Sequence, residues 1–434
     1  MPAFPAMPLL TSTPPPAFLL LPFVTMLLAL AVMPFAAPHH WERRHPWWAV
    51  ALGGVSVGYS LFLRRDALSV FHAAHEYVSF ITMIGSLFVV AGGIHLIVKG
   101  EARPWMNLLF LALASVVSNL IGTTGASMLL IRPWIRMNKY RITGYHVAFF
   151  IFLVSNVSGC LTPIGDPPLF LGFLKGVPFW WTLRHCWQPW AFGVLALLGI
   201  FFVLDVLNFH KAPRPVRERE TAHESWRFGG LHNLLFLGAI LGSVFVHRPA
   251  FLREGIMVVA ALASWATTRR EIHLANDFTM GPVKEIAWLF LGIFATMIPA
   301  LQYLQAHAAG LGLHSEWQFY WATGLLSGVL DNAPTYLAFL ATAFGLSGLD
   351  LETGMPAFLA AHGGTLAALS VSAVFFGALT YIGNGPNFMV KAIADRAKVE
   401  TPGFCGYLLR YALPFLLPVL FLVGILFFSS PRLP

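Results

Sequence analysis

The sequence predicts an all-α polytopic membrane protein with about ten transmembrane helices and two re-entrant hairpins, arranged as two inverted repeats with broken helices. Three observations lead there: a composition unable to clothe a soluble surface, apolar runs of spanning length, and matched interruptions inside some of those runs. Of 434 residues, 57% are hydrophobic and 11% charged. A soluble domain carries about 25% charged residues, so lipid is the main solvent of this chain.

The same composition narrows the function. The net charge is +8, but the Lys and Arg residues sit in short loops between spans, where orientation signals belong. There is no basic stripe with interleaved aromatics, so no nucleic-acid partner is expected. Cys160, Cys186 and Cys405 are scattered and odd in number, which implies neither a disulfide framework nor a metal cluster. His72 and His75 form an isolated H-x-x-H, read as a polar interfacial pair. No nucleophile–base pair, phosphate loop or H-E-x-x-H is present, so an enzyme and a bound cofactor are not expected.

Apolar runs bounded by charges or by Gly and Pro place spans near 17–37, 47–63, 77–98, 145–175, 186–207, 229–246, 255–268, 282–303, 365–393 and 403–428. The N-terminal tail, 1–16, has no basic n-region and leads into a long apolar run, so a first span is expected there and not a cleaved signal. Two further stretches, 105–131 and 318–345, are interrupted near their centres by SNLIGTTGAS and LDNAPT. Irregular backbone at membrane depth is tolerated only where it is buried or lines a cavity. Both stretches therefore read as hairpins that return to the side they entered from.

Charge placement supports that reading. With the N-terminus outside and both hairpins re-entrant, the inner loops 38–46, 99–104, 132–144, 208–228, 269–284 and 394–402 hold 18 Lys and Arg, and the outer segments hold 7. The C-terminal tail, 429–434, also falls outside. The expected location is a bacterial-type inner (plasma) membrane.

The chain also resembles itself. LTPIGDPP at 161–168 aligns with LTYIGNGP at 379–386, an offset of 218. Asn119 of SNLIGTTG aligns with Asn332 of LDNAPT at an offset of 213, and IGSLFVVAGGI (84–94) faces LGIFATMIPAL (291–301). The repeats are then 17–207 and 229–428, joined by a cytoplasmic linker at 208–228. Inverted repeats with interrupted helices in corresponding places point to a secondary transporter and to its binding site.

Four interrupted segments carry the polar residues at membrane depth. The first hairpin has Ser118, Asn119, Thr123, Thr124 and Ser127; the first broken span has Ser155, Asn156, Ser158, Thr162 and Asp166. The second hairpin has Ser327, Asp331, Asn332 and Thr335; the second broken span has Thr380, Asn384 and Asn387, with Lys391 one turn further on. An unwound helix frees carbonyl oxygens for a cation, and the next half-helix presents N–H groups and a positive dipole end. Asp166-Pro167-Pro168 and Asp331-Asn332-Ala333-Pro334 are also good helix starts, so each Asp has a capping reading beside the functional one. A carboxylate at the bilayer midplane is costly and defaults to function. It holds either a proton or a hard cation such as Na+, with Na+ expected at Asn156, Asp166, Asp331 and Asn332. Lys391 is a third titrating group, a counter-charge, or a side chain reaching the inner interface.

The paired signatures SNVSGCLTPIGDPP with SNLIGTTGAS, and LDNAPT with LTYIGNGPN, resemble the ion transporter superfamily over about residues 70–430. That group includes NhaD-type Na+/H+ antiporters, arsenite permeases, citrate permeases and divalent-anion symporters. P-I-G-D at Asp166 and D-N-x-P at Asp331, Asn332 and Pro334 are most similar to the NhaD-type branch, and the whole chain is also similar to citrate transporter-like proteins. It departs from the NhaD pattern where Pro-Pro-Leu follows Asp166, and from the symporter pattern where Val157 follows Ser155-Asn156. The resemblance implies a scaffold domain plus a transport domain of elevator type, in a homodimer.

The sequence reading is therefore a secondary transporter whose leading activity is Na+/H+ antiport, with H+ and cation exchanging at Asp166 and Asp331. The alternative is a Na+- or H+-coupled carrier of a small organic anion such as citrate or a dicarboxylate. Half-helix N-termini favour that anion, and the absence of Arg from all four motifs weighs against it.

Overall fold

A computed structural model describes residues 14–97, 103–211, 227–246 and 248–429. Nine helical segments among them are long and apolar enough to cross a membrane, as befits a multi-pass membrane protein.

In chain order these elements are α1 (Leu20–Ala36), α2 (Pro38–Gly58), α3 (Ala67–Gly92), β1 (His95–Ile97), α4 (Pro104–Met137), α5 (Gly144–Leu153), α6 (Pro167–Leu174) and α7 (Trp181–Lys211). Then follow β2 (Arg227–Gly229), α8 (Asn233–Ser243), α9 (Leu252–Thr267), α10 (Arg270–Ala275), α11 (Gly281–Ala306), α12 (Glu316–Ser327) and α13 (Asn332–Leu346). The chain ends with α14 (Met355–Phe376), α15 (Gly385–Arg396), α16 (Phe404–Tyr407) and α17 (Leu417–Phe428).

Several boundaries differ from the hydropathy reading. The charged stretch HHWERRHP, expected as a loop, opens α2, and α3 starts ten residues earlier than the span expected from 77. Asp66 sets that start by accepting from the Ser69 amide at 3.1 Å, a cap that hydropathy does not weigh. Helix α4 runs on to Met137 and carries Arg132 and Arg136, which were expected in a loop. The second broken span begins at Met355, not near 365, because Gly354 and Pro356 make a helix start. Helix α7 continues through Lys211 into the expected linker, and residues 212–226 of that linker lie outside the described residues, as do 1–13 and 430–434 of the two tails. One short sheet was not expected: β1 pairs antiparallel with β2, His95 opposite Gly229, which puts the segments after α3 and before α8 on the same face.

Helix α4 does not run straight. Gly122 has φ 76 and ψ 155, a backbone region closed to most L residues. Asn107 and Asn138 exchange side-chain hydrogen bonds of 2.8 and 3.1 Å. A straight helix would hold these two residues about 46 Å apart at 1.5 Å per residue, so the chain reverses at Gly122. In the second half the corresponding reversal is the turn between α12 and α13, which pack on each other and on α14. At 12 and 15 residues these helices are about 18 and 22 Å long, shorter than the hydrocarbon core of about 30 Å.

The helices form two packed groups. Helices α1, α2, α3, α8, α9 and α11 pack together; α4–α7 and α12–α17 form the other group around the two helix breaks. The groups meet chiefly where α11 lies on α13 and α3 on α4.

Candidate functional site

The two breaks share a local cause. After α5, Ser155 and Asn156 leave the helix, a short 3-10 turn follows at Val157–Leu161, and Asp166-Pro167-Pro168 restarts the chain as α6. After α14, Gly377 begins the break and Asn384-Gly385-Pro386 restarts it as α15. In each case a residue with extended φ and ψ stands before a Pro-containing first turn. Proline sterics hold Asp166, directly before Pro167, in that region, whereas Asn384 is followed by Gly385 and Pro386.

The same bonds hold each hairpin tip to its break. The Gly165 carbonyl accepts from the Thr123 amide at 2.7 Å, and the Gly383 carbonyl accepts from the Asn332 amide at 3.2 Å. Thr162 donates its hydroxyl to the Asn119 carbonyl at 2.6 Å, and Thr380 donates to the Gly328 carbonyl at 2.7 Å. Ser118 reaches the Val154 carbonyl and Ser327 the Ala373 carbonyl. These contacts pair Thr123 with Asn332 and Asn119 with Gly328, an offset of 209, which corrects the offset of 213 expected from aligning the two asparagines. A β-carbon on Gly159 would lie 2.8 Å from the Gly165 carbonyl oxygen, and one on Gly383 would lie 2.6 Å from that of Gly377. Both glycines are therefore required by close backbone approach.

All four interrupted segments converge on Asp166. Its Oδ1 accepts from the Thr123 hydroxyl at 2.6 Å and from Asn384 Nδ2 at 2.9 Å; its Oδ2 accepts from Asn332 Nδ2 at 2.6 Å. Asp166 occupies the N-cap position of α6, yet its side chain makes no cap hydrogen bond to that helix. The carboxylate instead faces the junction, buried to 1% exposure. Asn384 Nδ2 also reaches the Ser155 carbonyl and Asn156 Oδ1; Asn156 Nδ2 donates to Asn387 Oδ1 at 2.7 Å. Asn387 Nδ2 in turn satisfies the carbonyls of Gly377 and Thr380. Asn332 Oδ1 is buried with no hydrogen-bond partner, an acceptor left free beside the carboxylate.

The remaining candidates divide by what they touch. Asp331 caps α13, accepting from the Ala333 amide at 3.0 Å, and Thr335 donates back to the Asp331 carbonyl. These bonds are those of a helix cap, so the two aspartates differ in what they hold. Ser155 shares a hydrogen bond with Ser127 at 2.8 Å. Thr124 lines a narrow cleft of about 20 Å³ beside Gly122 and Pro167. Lys391 pairs with Asp395 at 2.6 Å and with Thr401, and neither partner belongs to the Asp166 network.

Two charged clusters escaped the sequence reading. Asp205 on α7 is fully buried and accepts from Arg141, Tyr145, His146 and Asn107. The sequence does carry a signal, since an acid inside an apolar span defaults to a role with a named partner, whereas Arg141, by its place in a short loop, reads as an orientation charge. Lys175 bridges Glu76 on α3 at 2.7 Å and Glu352 at 2.6 Å, joining the two packed groups.

The arrangement places one carboxylate at the crossing of three neutral donors, with α6, α13 and α15 all beginning there. Such a group can hold a proton or a hard cation, and the helix starts present positive dipole ends to an anion. No curated protein matches the chain. The family model CitMHS_2, described as "Putative citrate transport", matches residues 13–428. With nearly its whole length matched, the chain belongs to this citrate-transport family.

Proposed function

We propose that the protein is a secondary carrier of a citrate-type organic anion, driven by H+ or Na+ held at Asp166. The family match supports the anion, and the observation that carries the coupling is the convergence of Thr123, Asn332 and Asn384 on one buried carboxylate. In this reading α4 and the α12–α13 pair are re-entrant hairpins in two inverted repeats, and the half-helix starts at Pro167, Asn332 and Gly385 face the anion. The group around the breaks is the transport domain. It moves elevator-fashion against the group of α1–α3, α8, α9 and α11, in a homodimer of the inner membrane.

Binding of the cation beside Asp166 neutralises the carboxylate. That removes its repulsion of an incoming anion and makes loading of the two cooperative. Proteoliposomes containing the purified protein, given labelled citrate under an imposed Na+ or pH gradient, test this. Gradient-driven uptake is the expected result, and uptake indifferent to both gradients would sink it.

Na+/H+ antiport stays the second reading because, among the described residues, the hydrogen bonds to Asp166 come from Thr123, Asn332 and Asn384 and none from a Lys or Arg. Its signature is proton movement under a Na+ gradient with no organic anion present.

A further inference from the structure

A cavity of about 150 Å³ lies at the other end of α13 from Asn332. It is a partly open pocket between the approach to α12, the last turns of α13 and the first half of α14, and His314 of its lining is exposed. Phe319 and Phe358 contribute to its apolar wall, while His314, Ser347, His362 and Thr365 supply polar groups. Ala343, also on its wall, lies about 16 Å along α13 from Asn332 at the rise of an α-helix. The cavity is therefore separate from the Asp166 junction.

Three features mark it as a ligand site. Helix α14 is broken at His362, with φ −128 and ψ 30 inside an otherwise regular helix. The cavity-lining Thr365 is 1% exposed and its hydroxyl has no partner. Buried helical threonines ordinarily donate to the carbonyl four residues back, as Thr296, Thr335 and Thr342 do here. His362 Nδ1 is likewise buried without a partner. Two polar atoms three residues apart on one helix are thus left free at the same wall, and leaving them unmet costs stability.

The chemistry of the lining selects the ligand. Imidazole N–H and hydroxyl O–H groups can each donate to an anion, and among the described residues no Asp, Glu, Lys or Arg lines the space. The carboxylate of Glu316 packs against Gly364 and stays out of the lining. Donors over an apolar floor suit a carboxylate with a short hydrocarbon tail. A cavity of this volume encloses about six heavy atoms, the size of a benzene ring.

We propose that this cavity binds a short-chain carboxylate, its oxygens on Thr365 and His362 and its methylenes on Phe319 and Phe358. The site stands whether or not citrate is the cargo of the Asp166 junction.

The test uses the full-length protein in detergent, with butyrate and the neutral, size-matched butyramide as probes in saturation-transfer NMR. Butyrate is expected to bind at least about tenfold more tightly than butyramide, since a hydrogen bond to a charged group is stronger than one to a neutral group. Thr365→Val and His362→Phe should each weaken butyrate binding by about tenfold or more. Thr365→Ser should retain binding, as should Asp166→Asn, which reports on the other site. Melting temperatures of all variants confirm folding. Equal binding of the two probes, no binding by the unmodified protein, or full binding by folded Thr365→Val and His362→Phe would each overturn the proposal and leave a cavity that holds water only. Failure of the unmodified protein to transport citrate, with its butyrate binding intact, would count against the carrier reading alone.

Discussion

Asn332 Nδ2 donates to Asp166 Oδ2 at 2.6 Å, and by this bond the tip of the second hairpin rests on the break of the first half. The carboxylate is thereby shared between the halves: Thr123 and Asn332 come from the two reversals, and Asn384 from the opposite break. A change at Asp166 touches all of them together.

Replacing Asp166 by Asn keeps the shape and removes the charge. Gradient-driven citrate uptake in proteoliposomes should fall by about a hundredfold or more, the effect expected when an essential binding charge is lost. Asn332→Ala should weaken the same uptake less, because Thr123 and Asn384 still hold the carboxylate. Driven uptake by Asp166→Asn at the unmodified rate would show that the coupling ion sits elsewhere.

Gly383→Ala would put a methyl group 2.6 Å from the Gly377 carbonyl oxygen and 2.7 Å from that of Ser327. Overpacking of this kind costs about 1–3 kcal/mol. The melting temperature of the purified variant should drop by several degrees, whereas Gly385→Ala, with open space around it, should leave it unmoved.

Asp205 and Arg141 are a buried ion pair at the base of the first hairpin. Breaking it with Asp205→Asn leaves Arg141 buried and uncompensated, at a cost of about 3–5 kcal/mol. Removing both charges, as in Asp205→Asn with Arg141→Met, should recover much of that loss in a thermal unfolding assay. No recovery would mean that Tyr145, His146 and Asn107, not the charge pair, dominate the cluster.

Lys175 ties Glu76 of one helix group to Glu352 of the other. Lys175→Met should strand Glu76, which is buried, and cost about 3–5 kcal/mol. Lys175→Met with Glu76→Gln should be closer to the unmodified protein. If the two groups move during transport, the double variant should also change the citrate transport rate with little change in binding. Unchanged rates would assign the bridge to stability alone.

Much of this protein is written locally. Composition and hydropathy determined the membrane class, most of the spans and the positions of all four interruptions, because lipid solvation and proline or glycine sterics act on each segment by itself. The candidate residues Asp166, Asn332, Asn384, Asn156, Asn387 and Thr123 were legible for the same reason: polar side chains at membrane depth stand out against apolar neighbours. Only the tertiary structure decided how the segments meet. Pairing of Thr123 with Asn332 rests on backbone contacts to Gly165 and Gly383 that no string of letters displays. The different surroundings of Asp166 and Asp331, one facing a junction and the other capping a helix, depend on where distant donors arrive. So do the Asp205 and Lys175 clusters, whose partners lie up to 98 and up to 177 residues away. Long-range electrostatics and hydrogen bonding are settled by packing, and the sequence alone carries only the residues that packing will bring together.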